Sequence, residues 1–475
     1  MKKLLIFLTT VVLLTGCASS DNGELVGVYE KSWKEPIPYG MVFVKRGSFT
    51  MGQNDQAANW LSTSKSRTVS LDAFWMDETE ITNGEYRQFV YWVKDSIARE
   101  RLANPAIGGD EEFMITEDRK GNPVNPHLNW DKDIPWENKT ADEQVKVALD
   151  SMYYVGVDAI GIAPQINATN MNYKYFWIDY NQAGAKENKF DPLKGGYNRS
   201  LAGLGTTKDS ADVMIKKDTS YYAEDGTIVN KTVYRELKSR SDFINTKYVN
   251  IYPDTLCWVR DFTYSYNEPY MKMYFSHPGY GEYPVVGVNW EQAFAFCHWR
   301  TYRMNSYLLA VGSAEVQDYR LPTETEWEYA ARGGRDLAMY PWGGNYIRTA
   351  KGCFMANFKP MRGNYTVDGY MIPAKVGSFP PNNYGLYDMA GNVSEWTNSA
   401  FNETNYSFVH DMNPDYQYNA KSFDPEVMRR KVIRGGSWKD VAQFLQCGSR
   451  TYEYQQEGRS YIGFRCVRSS IDVEQ

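Results

Sequence analysis

The sequence predicts an α+β protein in which short strands and structured loops outweigh helices, with a large segment inserted between two regular parts. Short apolar runs bounded by turn residues, such as Met41-Val42-Phe43-Val44 before Gly47-Ser48, are typical of strands. The starts of the main helices carry capping residues. The C-terminal part is rich in glycine, asparagine, proline and aromatic residues, which favours short strands joined by ordered loops.

The first regular part begins at residue 39. Residues 41–44 and 49–52 predict two strands, and residues 69–76 predict a third. Thr82 or Asn83 then caps a helix. Apolar residues recur in it at helical spacing and predict its buried face, which consists of Tyr86, Phe89, Val90 and Val93.

Residues 94–283 have a different character, because turn residues, charges and tyrosines are mixed and few long periodic segments occur. A short helix is predicted over 141–149 and a strand around 248–252. We interpret 94–283 as an insertion and, by elimination, as the part that binds partners.

Regular signals return at residue 283. Asn289 with Gln292, and Thr323 with Glu326, each have the spacing of a capping box at a helix start. Gly333 follows the second helix at the position where a left-handed residue ends a helix.

Composition excludes several classes of protein. Hydrophobic residues make up 43% of the 475 residues, which excludes general disorder. The net charge of -6 supplies no basic surface for nucleic acid. The 4 histidines show no helix-facing spacing, and no Cys-x-x-Cys occurs, so a histidine-based zinc hydrolase and a redox motif are not predicted.

The N-terminus carries a targeting signal. Lys2 and Lys3 precede an apolar run over 4–14 that is too short to span a bilayer, and Leu14-Thr15-Gly16-Cys17 resembles a bacterial lipobox. We predict a signal peptide over 1–16, lipidation of Cys17 and a tether over 17–38, with the protein anchored in the outer membrane and facing the periplasm. The alternative is an ordinary secretory signal with a chance cysteine.

Several motifs carry a resemblance to a known family. In order along the chain they are Glu80-Ile81-Thr82-Asn83, Pro284-Val285-Val286-Gly287-Val288-Asn289-Trp290, Arg320-Leu321-Pro322-Thr323-Glu324, Gly385-Leu386-Tyr387-Asp388-Met389-Ala390-Gly391-Asn392-Val393, Arg434-Gly435-Gly436-Ser437-Trp438 and Gly463-Phe464-Arg465-Cys466. The set resembles the formylglycine-generating enzyme, or sulfatase-modifying factor, domain. The resemblance implies a loop-rich fold related to C-type lectins over 39–93 and 284–470, interrupted by the insertion 94–283.

The resemblance does not extend to the chemistry. Formylglycine-generating enzymes hold copper with two cysteines that closely follow the Gly-Gly-Ser segment, because soft thiolates suit Cu(I). Residues 438–445 contain no cysteine, and Cys447 matches a structural cysteine of some members. We therefore predict no enzymatic activity, no catalytic residue and no bound copper.

Calcium and a disulfide are implied by the resemblance. One calcium site matches Asp388, Gly391, Val393 and Glu395, and a second matches Asn357, Phe358, Asp368 and Tyr370. The alternative for each is a metal-free turn held by Asx hydrogen bonds. Cys297 and Cys466 match a disulfide of relatives, and two buried thiols are the alternative.

The lipobox, the tether and the insertion together resemble the GldK/PorK group of lipoproteins. That resemblance implies a non-catalytic, lipid-anchored ring subunit of the type IX secretion and gliding motility machinery, which self-associates and binds a GldN/PorN-type partner. The alternatives are a sugar- or peptide-binding surface lipoprotein and, far behind, a formylglycine-generating oxidase. A sugar- or peptide-binding lipoprotein would require an open calcium site with spare coordination positions.

Overall fold

The structure is a computed structural model. It describes residues 35–53, 66–117, 120–136, 142–154, 164–191, 196–197, 214–223, 227–361, 364–367, 369–421 and 423–471. The described residues from Pro38 onward belong to one compact unit, and this unit includes the described parts of 94–283. No helix among the described residues is long and apolar enough to cross a membrane. Cys17 and the signal peptide lie outside the described residues.

Two long helices and several short ones provide the helical part. The α-helices are α1 (Asn83–Ala103), α2 (Glu143–Asp150), α3 (Tyr180–Gly184), α4 (Cys257–Arg260), α5 (Glu268–Met273), α6 (Trp290–Ala310) and α7 (Glu324–Arg332). Short 3-10 helices cover Glu111–Phe113, Ala168–Asn170, Lys186–Asn188, Arg240–Phe243, Pro278–Tyr280, Asn405–Ser407, Glu426–Arg429 and Ala442–Leu445.

The predicted helix boundaries are confirmed by their caps. Capping boxes start α6 at Asn289 and α7 at Thr323, and Thr82 rather than Asn83 caps α1. Gly333 ends α7 with a φ of 57°, a left-handed conformation that glycine adopts without steric cost.

The two largest sheets of the described residues have four strands each. The first has the antiparallel order β1 (Met41–Val44), β4 (Phe74–Asp77), β18 (Val467–Ser469) and β13 (Tyr319–Arg320). The second has the order β16 (Thr451–Tyr454), β15 (Arg430–Arg434), β14 (Ser394–Ala400) and β17 (Ile462–Gly463), in which β14 and β17 are parallel.

The remaining strands form antiparallel pairs. They are β2 (Gly47–Met51) with β3 (Arg67–Leu71), β5 (Met114–Glu117) with β6 (Pro123–Leu128), β7 (Asn172–Ile178) with β12 (Ile244–Asn250), β8 (Phe190–Asp191) with β9 (Gly196–Tyr197), and β10 (Met214–Tyr222) with β11 (Ile228–Glu236).

The single strand predicted over 69–76 is wrong. The chain leaves β3 at Leu71 and enters β4 at Phe74, and these strands belong to different sheets. The break is held by Asn413, whose side chain accepts a hydrogen bond from the Asp72 backbone and donates one to the Asp72 carboxylate. A residue more than three hundred positions away in sequence therefore interrupts the apolar stretch 69–76 and separates it into two strands.

An aromatic core joins α1, α6 and the C-terminal segment. The Tyr86 ring stacks on Phe296 at 5.6 Å between centroids, and Phe464 lies 5.4 Å from Phe296. Phe89 meets Tyr173 of β7 edge-on at 5.1 Å, so the described part of 94–283 contributes to this core. The predicted buried face of α1 is confirmed, since its four members are all at most 2% exposed.

Candidate functional site

The segment that would carry catalysis in the family begins where β15 ends. Arg434, fully buried, donates to the carbonyl oxygens of Cys447 and Ser449 at 3.0 and 2.9 Å and to Glu328 Oε2 at 2.8 Å. Gly435 and Gly436 follow with φ of 89° and 67°. A Cβ at residue 436 would lie 2.8 Å from the Phe444 carbonyl oxygen, so the tight turn requires glycine.

Buried charges beneath α7 hold this segment in place. Glu324 accepts from Arg450 and pairs with Arg434, and Arg332 donates to Glu328. Burial alone would raise the pKa of Glu324, but the guanidinium groups of Arg450 and Arg434 lower it to about 2. The carboxylate is therefore ionised and fully paired.

The loop after Ser437 is closed by its own polar contacts. Both carboxylate oxygens of Asp440 are occupied, one by the Ser437 hydroxyl at 2.6 Å and the other by Lys439 Nζ at 2.7 Å. The Trp438 ring packs against Trp258 and Phe262, with centroids 6.2 and 5.2 Å apart. Aromatic residues of the segment that contains α4 thus cover this loop.

The cysteine nearest in sequence to this loop is Cys447. It is fully buried, and burial raises the pKa of its thiol to about 12. Residues 438–445 supply no thiol of their own, so the described loop lacks the pair of thiolates that would hold Cu(I).

The first set of predicted calcium ligands lies within a buried charge cluster. Arg465 binds both oxygens of Glu395, with Nη2 to Oε1 and Nε to Oε2 distances of 2.7 Å. The Trp327 indole N–H also donates to Glu395 Oε2, at 2.8 Å. These three donors use three of the roughly four acceptor positions of the Glu395 carboxylate. Its role as a calcium ligand stays a prediction.

Asp388 is differently placed. Its Oδ2 accepts from the Gly377 N–H at 2.6 Å, and no described residue donates to its Oδ1. Burial raises the pKa of Asp388 to about 6, against the opposing effect of the Gly377 hydrogen bond and of Arg465. Of the two predicted side-chain ligands, Asp388 is the one with an oxygen that no described residue contacts by a hydrogen bond.

Glu80 joins this cluster and was missed as a site residue. It is fully buried and accepts from Asn392 Nδ2 at 2.6 Å and from the Val393 N–H at 3.1 Å. Burial raises the pKa of Glu80 well above its ordinary value, and the charges of Asp388 and Glu395 raise it further. The sequence signal for it was its position at the start of the motif Glu80-Ile81-Thr82-Asn83.

We call Glu80, Asp388, Glu395 and Arg465 the Arg465 cluster. It contains three carboxyl groups and one guanidinium, so a full ion pairing within it would leave two negative charges. Two protons or a bound cation can balance that excess. Among the described residues, no three His, Cys, Asp or Glu side chains have a geometry that could hold a metal ion. Calcium therefore stays a prediction.

The second set of predicted calcium ligands borders the first. The Asn357 carbonyl oxygen accepts from the Asn392 N–H at 2.8 Å, and its amide donates to the Ile372 carbonyl oxygen at 2.9 Å. Phe358 is buried, and the Tyr370 hydroxyl lies 3.3 Å from that of Ser378. Asp368 lies outside the described residues.

The predicted disulfide partners are neighbours in space. The sulfur atoms of Cys297 and Cys466 are 3.5 Å apart, and both residues are buried thiols in this structure. A disulfide requires about 2.05 Å, which a small movement of the two side chains would reach. The pairing stays a prediction.

A comparison with families of known proteins decides the class of the domain. Residues 28–151 and 219–470 match the sulfatase-modifying factor enzyme 1-like domain. The chain belongs to this family. The stretch 152–218 lies between the matched parts. The predicted domain limits of 39–93 and 284–470, and the insertion 94–283, stay predictions.

Relatives of this family member include active and inactive enzymes. The inactive C-alpha-formylglycine-generating enzyme 2 of Mus musculus is 33% identical over 195 residues, which cover 40% of this chain and 50% of the relative. The formylglycine-generating enzyme of Mus musculus is 33% identical over 197 residues, covering 40% of this chain and 45% of the relative. The chain thus matches about half the length of these relatives or less.

Two further proteins are similar. The serine/threonine-protein kinase pkn1 of Chlamydia pneumoniae is 34% identical over 198 residues, covering 40% of this chain and 25% of the relative. Among solved structures, PvdO from Pseudomonas aeruginosa aligns with a TM-score of 0.42 and 16% identity, covering 90% of this chain and 94% of that one.

Proposed function

We propose that this chain is a non-catalytic, lipid-anchored structural subunit of the periplasmic ring of the type IX secretion and gliding motility machinery, of the GldK/PorK type. It is held at the outer membrane through Cys17 and binds a GldN/PorN-type partner. The family supplies the fold, and fold alone does not fix function. The residues of the chain must therefore carry the proposal.

The proposed loss of catalysis is supported by the side chains of the loop after Ser437. Relatives of equal identity include an active and an inactive enzyme, so similarity favours neither. The loop offers a lysine, an aspartate whose oxygens are both occupied, and a covered tryptophan. None of these groups is a soft ligand for Cu(I).

Exposed aromatic side chains in 94–283 support the role in assembly. Tyr264 and Tyr266, between α4 and α5, are 101% and 92% exposed, and Phe176 on β7 is 64% exposed. Tyrosine rings bring a large contact area at a small entropic cost, and they are enriched among residues that dominate binding energy. Two fully exposed tyrosines at one loop tip suit a partner contact.

The proposal is tested by purifying the tagged, lipidated protein from gently solubilised envelopes, with mass spectrometry and negative-stain imaging. We expect large rings that contain a stoichiometric second protein. A Tyr264→Ala/Tyr266→Ala variant should lose that partner, whereas Tyr346→Ala, which alters a tyrosine 82% exposed and outside 94–283, should keep it. Recovery of a monomer without a stable partner would refute the ring.

Two controls separate the parts of the proposal. Cys17→Ala should remove membrane retention while the domain stays folded, and retention of that variant in fractionation would refute lipidation. The purified protein, supplied with Cu(I) and a cysteine-containing sulfatase peptide, should form no formylglycine. Aldehyde formation at the rate of an active relative would refute the loss of catalysis.

A further inference from the structure

A concave region lies outside the residues discussed so far. It is a cleft of about 410 Å³ between the β10–β11 hairpin, the β7–β12 pair, the start of α6 and residues 419–421 and 423. We call it the hairpin cleft. Its volume falls within the range of small-molecule sites, roughly 300–1,000 Å³.

The charged groups of the hairpin cleft are largely neutralised by each other. Lys421 Nζ lies 2.5 Å from Asp218 Oδ2, and Asp218 Oδ1 accepts from the Thr232 hydroxyl at 2.6 Å. Lys247 Nζ lies 2.7 Å from Glu291 Oε1. These charged side chains of the hairpin cleft therefore form two ion pairs with each other, and a strongly charged ligand would gain little binding energy from them.

Uncharged polar groups of the cleft keep their hydrogen-bonding capacity. Six polar side chains line it whose side-chain atoms make no hydrogen bond or ion pair with another described residue, namely Thr219, Asn230, Lys231, Thr246, Asn419 and Gln456. Five of them are amides or hydroxyls, which both donate and accept. They come from several chain segments and converge on one volume.

An aromatic ring completes the lining. Trp177 is half-buried, and its ring lies 5.6 Å from that of Tyr175, which packs on α6 through Phe294. The indole therefore packs on a buried ring beside the polar groups. A sugar ring has one face of C–H groups that packs on an aromatic ring and an edge of hydroxyls that pair with amides and hydroxyls.

We infer that the hairpin cleft binds a short neutral oligosaccharide. Donor–acceptor amides match the donor–acceptor hydroxyls of a sugar, the ion pairs are already closed, and Trp177 supplies the stacking surface. A peptide would instead draw on a strand edge or on apolar pockets for its side chains. An anion would find one unpaired cation, Lys231, on the described lining.

Part of the cleft lies outside the family match. Trp177 and Asp218 lie in the stretch 152–218, which the family match omits, whereas Asn419 and Gln456 lie within the match. The site arises where the two parts meet. The inference does not rest on the ring, since a subunit of any assembly, or a free lipoprotein, could present this cleft.

The test is isothermal titration of the full-length lipidated protein with chitotriose, maltotriose and mannotriose, in a detergent without a sugar headgroup, after screening on an array of neutral glycans. We expect at least one of the three sugars to bind. Asn230→Ala and Gln456→Ala, both at exposed positions, should each weaken binding about fivefold. Trp177→Ala should weaken it by about tenfold or more.

Two variants serve as matched controls. Ile178→Ala alters a neighbour of Trp177 in β7, which points to the opposite face of the strand, and should leave sugar binding unchanged. Lys231→Ala should change it less than twofold, because the ligand is neutral. The inference is overturned if no array glycan and none of the three sugars binds, if Lys231→Ala abolishes binding, or if a peptide library binds through Asn230 and Gln456 instead.

Discussion

The Arg465 cluster and the hairpin cleft use similar polar side chains in opposite ways. In the cluster, Glu395 and Arg465 are fully buried and bind each other, and the buried Glu80 accepts from the Val393 N–H group. In the cleft, amides and hydroxyls face an open volume with no described partner. Buried polar groups must be satisfied internally, whereas groups that recognise a ligand must keep their capacity free. The comparison separates residues that maintain the fold from residues available for binding.

The largest expected effect comes from removing the cation of the cluster. Arg465→Ala leaves the buried carboxylate of Glu395 without its partner, so the free energy of unfolding should fall by about 3–5 kcal/mol. Denaturant unfolding measures this change. As a control, Lys375→Ala breaks an exposed pair with Glu282 and should leave the unfolding midpoint unchanged. Equal effects of the two substitutions would erase the distinction between buried and exposed charge.

The next largest effect on stability is expected from the two neighbouring thiols, Cys297 and Cys466. If Cys297 and Cys466 form a disulfide in the cell, the bond should stabilise the protein by about 2–4 kcal/mol, and reduction should remove that gain. Peptide mapping without reduction would identify the bond directly. Cys257→Ser, which alters another buried thiol, should leave the response to reductant intact. Two alkylated cysteines in protein taken from the envelope would contradict the pairing.

The titration of Asp388 tests whether protons or calcium balance the cluster. An acid whose pKa is raised by folding binds more protons in the folded state between its two pKa values, so stability falls as pH rises. A shift from 3.8 to about 6 corresponds to about 3 kcal/mol lost between pH 4 and 7 in the presence of EGTA. Asp388→Asn should remove this part of the pH dependence.

Calcium would change that result in a measurable way. An ion bound at Asp388 keeps the carboxylate ionised, so added calcium should raise the unfolding temperature at pH 7 and weaken the fall in stability with pH. Asp388→Asn should abolish the response. Identical unfolding curves in calcium and in EGTA would show that protons alone compensate the charge.

The smallest effect is expected in the hairpin cleft. Asn230→Ala and Gln456→Ala remove side chains with no described partner, so the free energy of unfolding should change by less than about 0.5 kcal/mol. The same variants should weaken sugar binding. A stability loss comparable to that of Arg465→Ala would show that these side chains maintain the fold instead.

The sequence predicted what depends on neighbours in the chain. Capping boxes at Asn289 and Thr323 and the left-handed Gly333 were correct because each is a local interaction of three or four residues. The strand over 69–76 was divided wrongly because Asn413, remote in sequence, sets the break. Local patterns carry no information about such distant partners.

For the candidate site, the sequence predicted which motifs are present but not which side chains contact one another. The ordered motifs gave the family, and the missing cysteines after Ser437 gave the expected loss of catalysis. The partner of Glu395 was not foreseen, because Arg465 lies 70 residues away in sequence and pairs with it only through packing. Glu80 and the hairpin cleft likewise depend on which distant segments fold together.

The position of β18 has a consequence for how the protein is made. This strand lies between β4 and β13. Just before it, the Cys466 carbonyl oxygen accepts from the Asp77 N–H, and the Cys466 N–H donates to the Asp77 carboxylate. The first sheet therefore cannot close until residue 469 has been synthesised and, if the chain is exported, has crossed the inner membrane. A premature stop a few codons early leaves a chain with a gap in the middle of its sheet. We expect proteases to degrade such a chain.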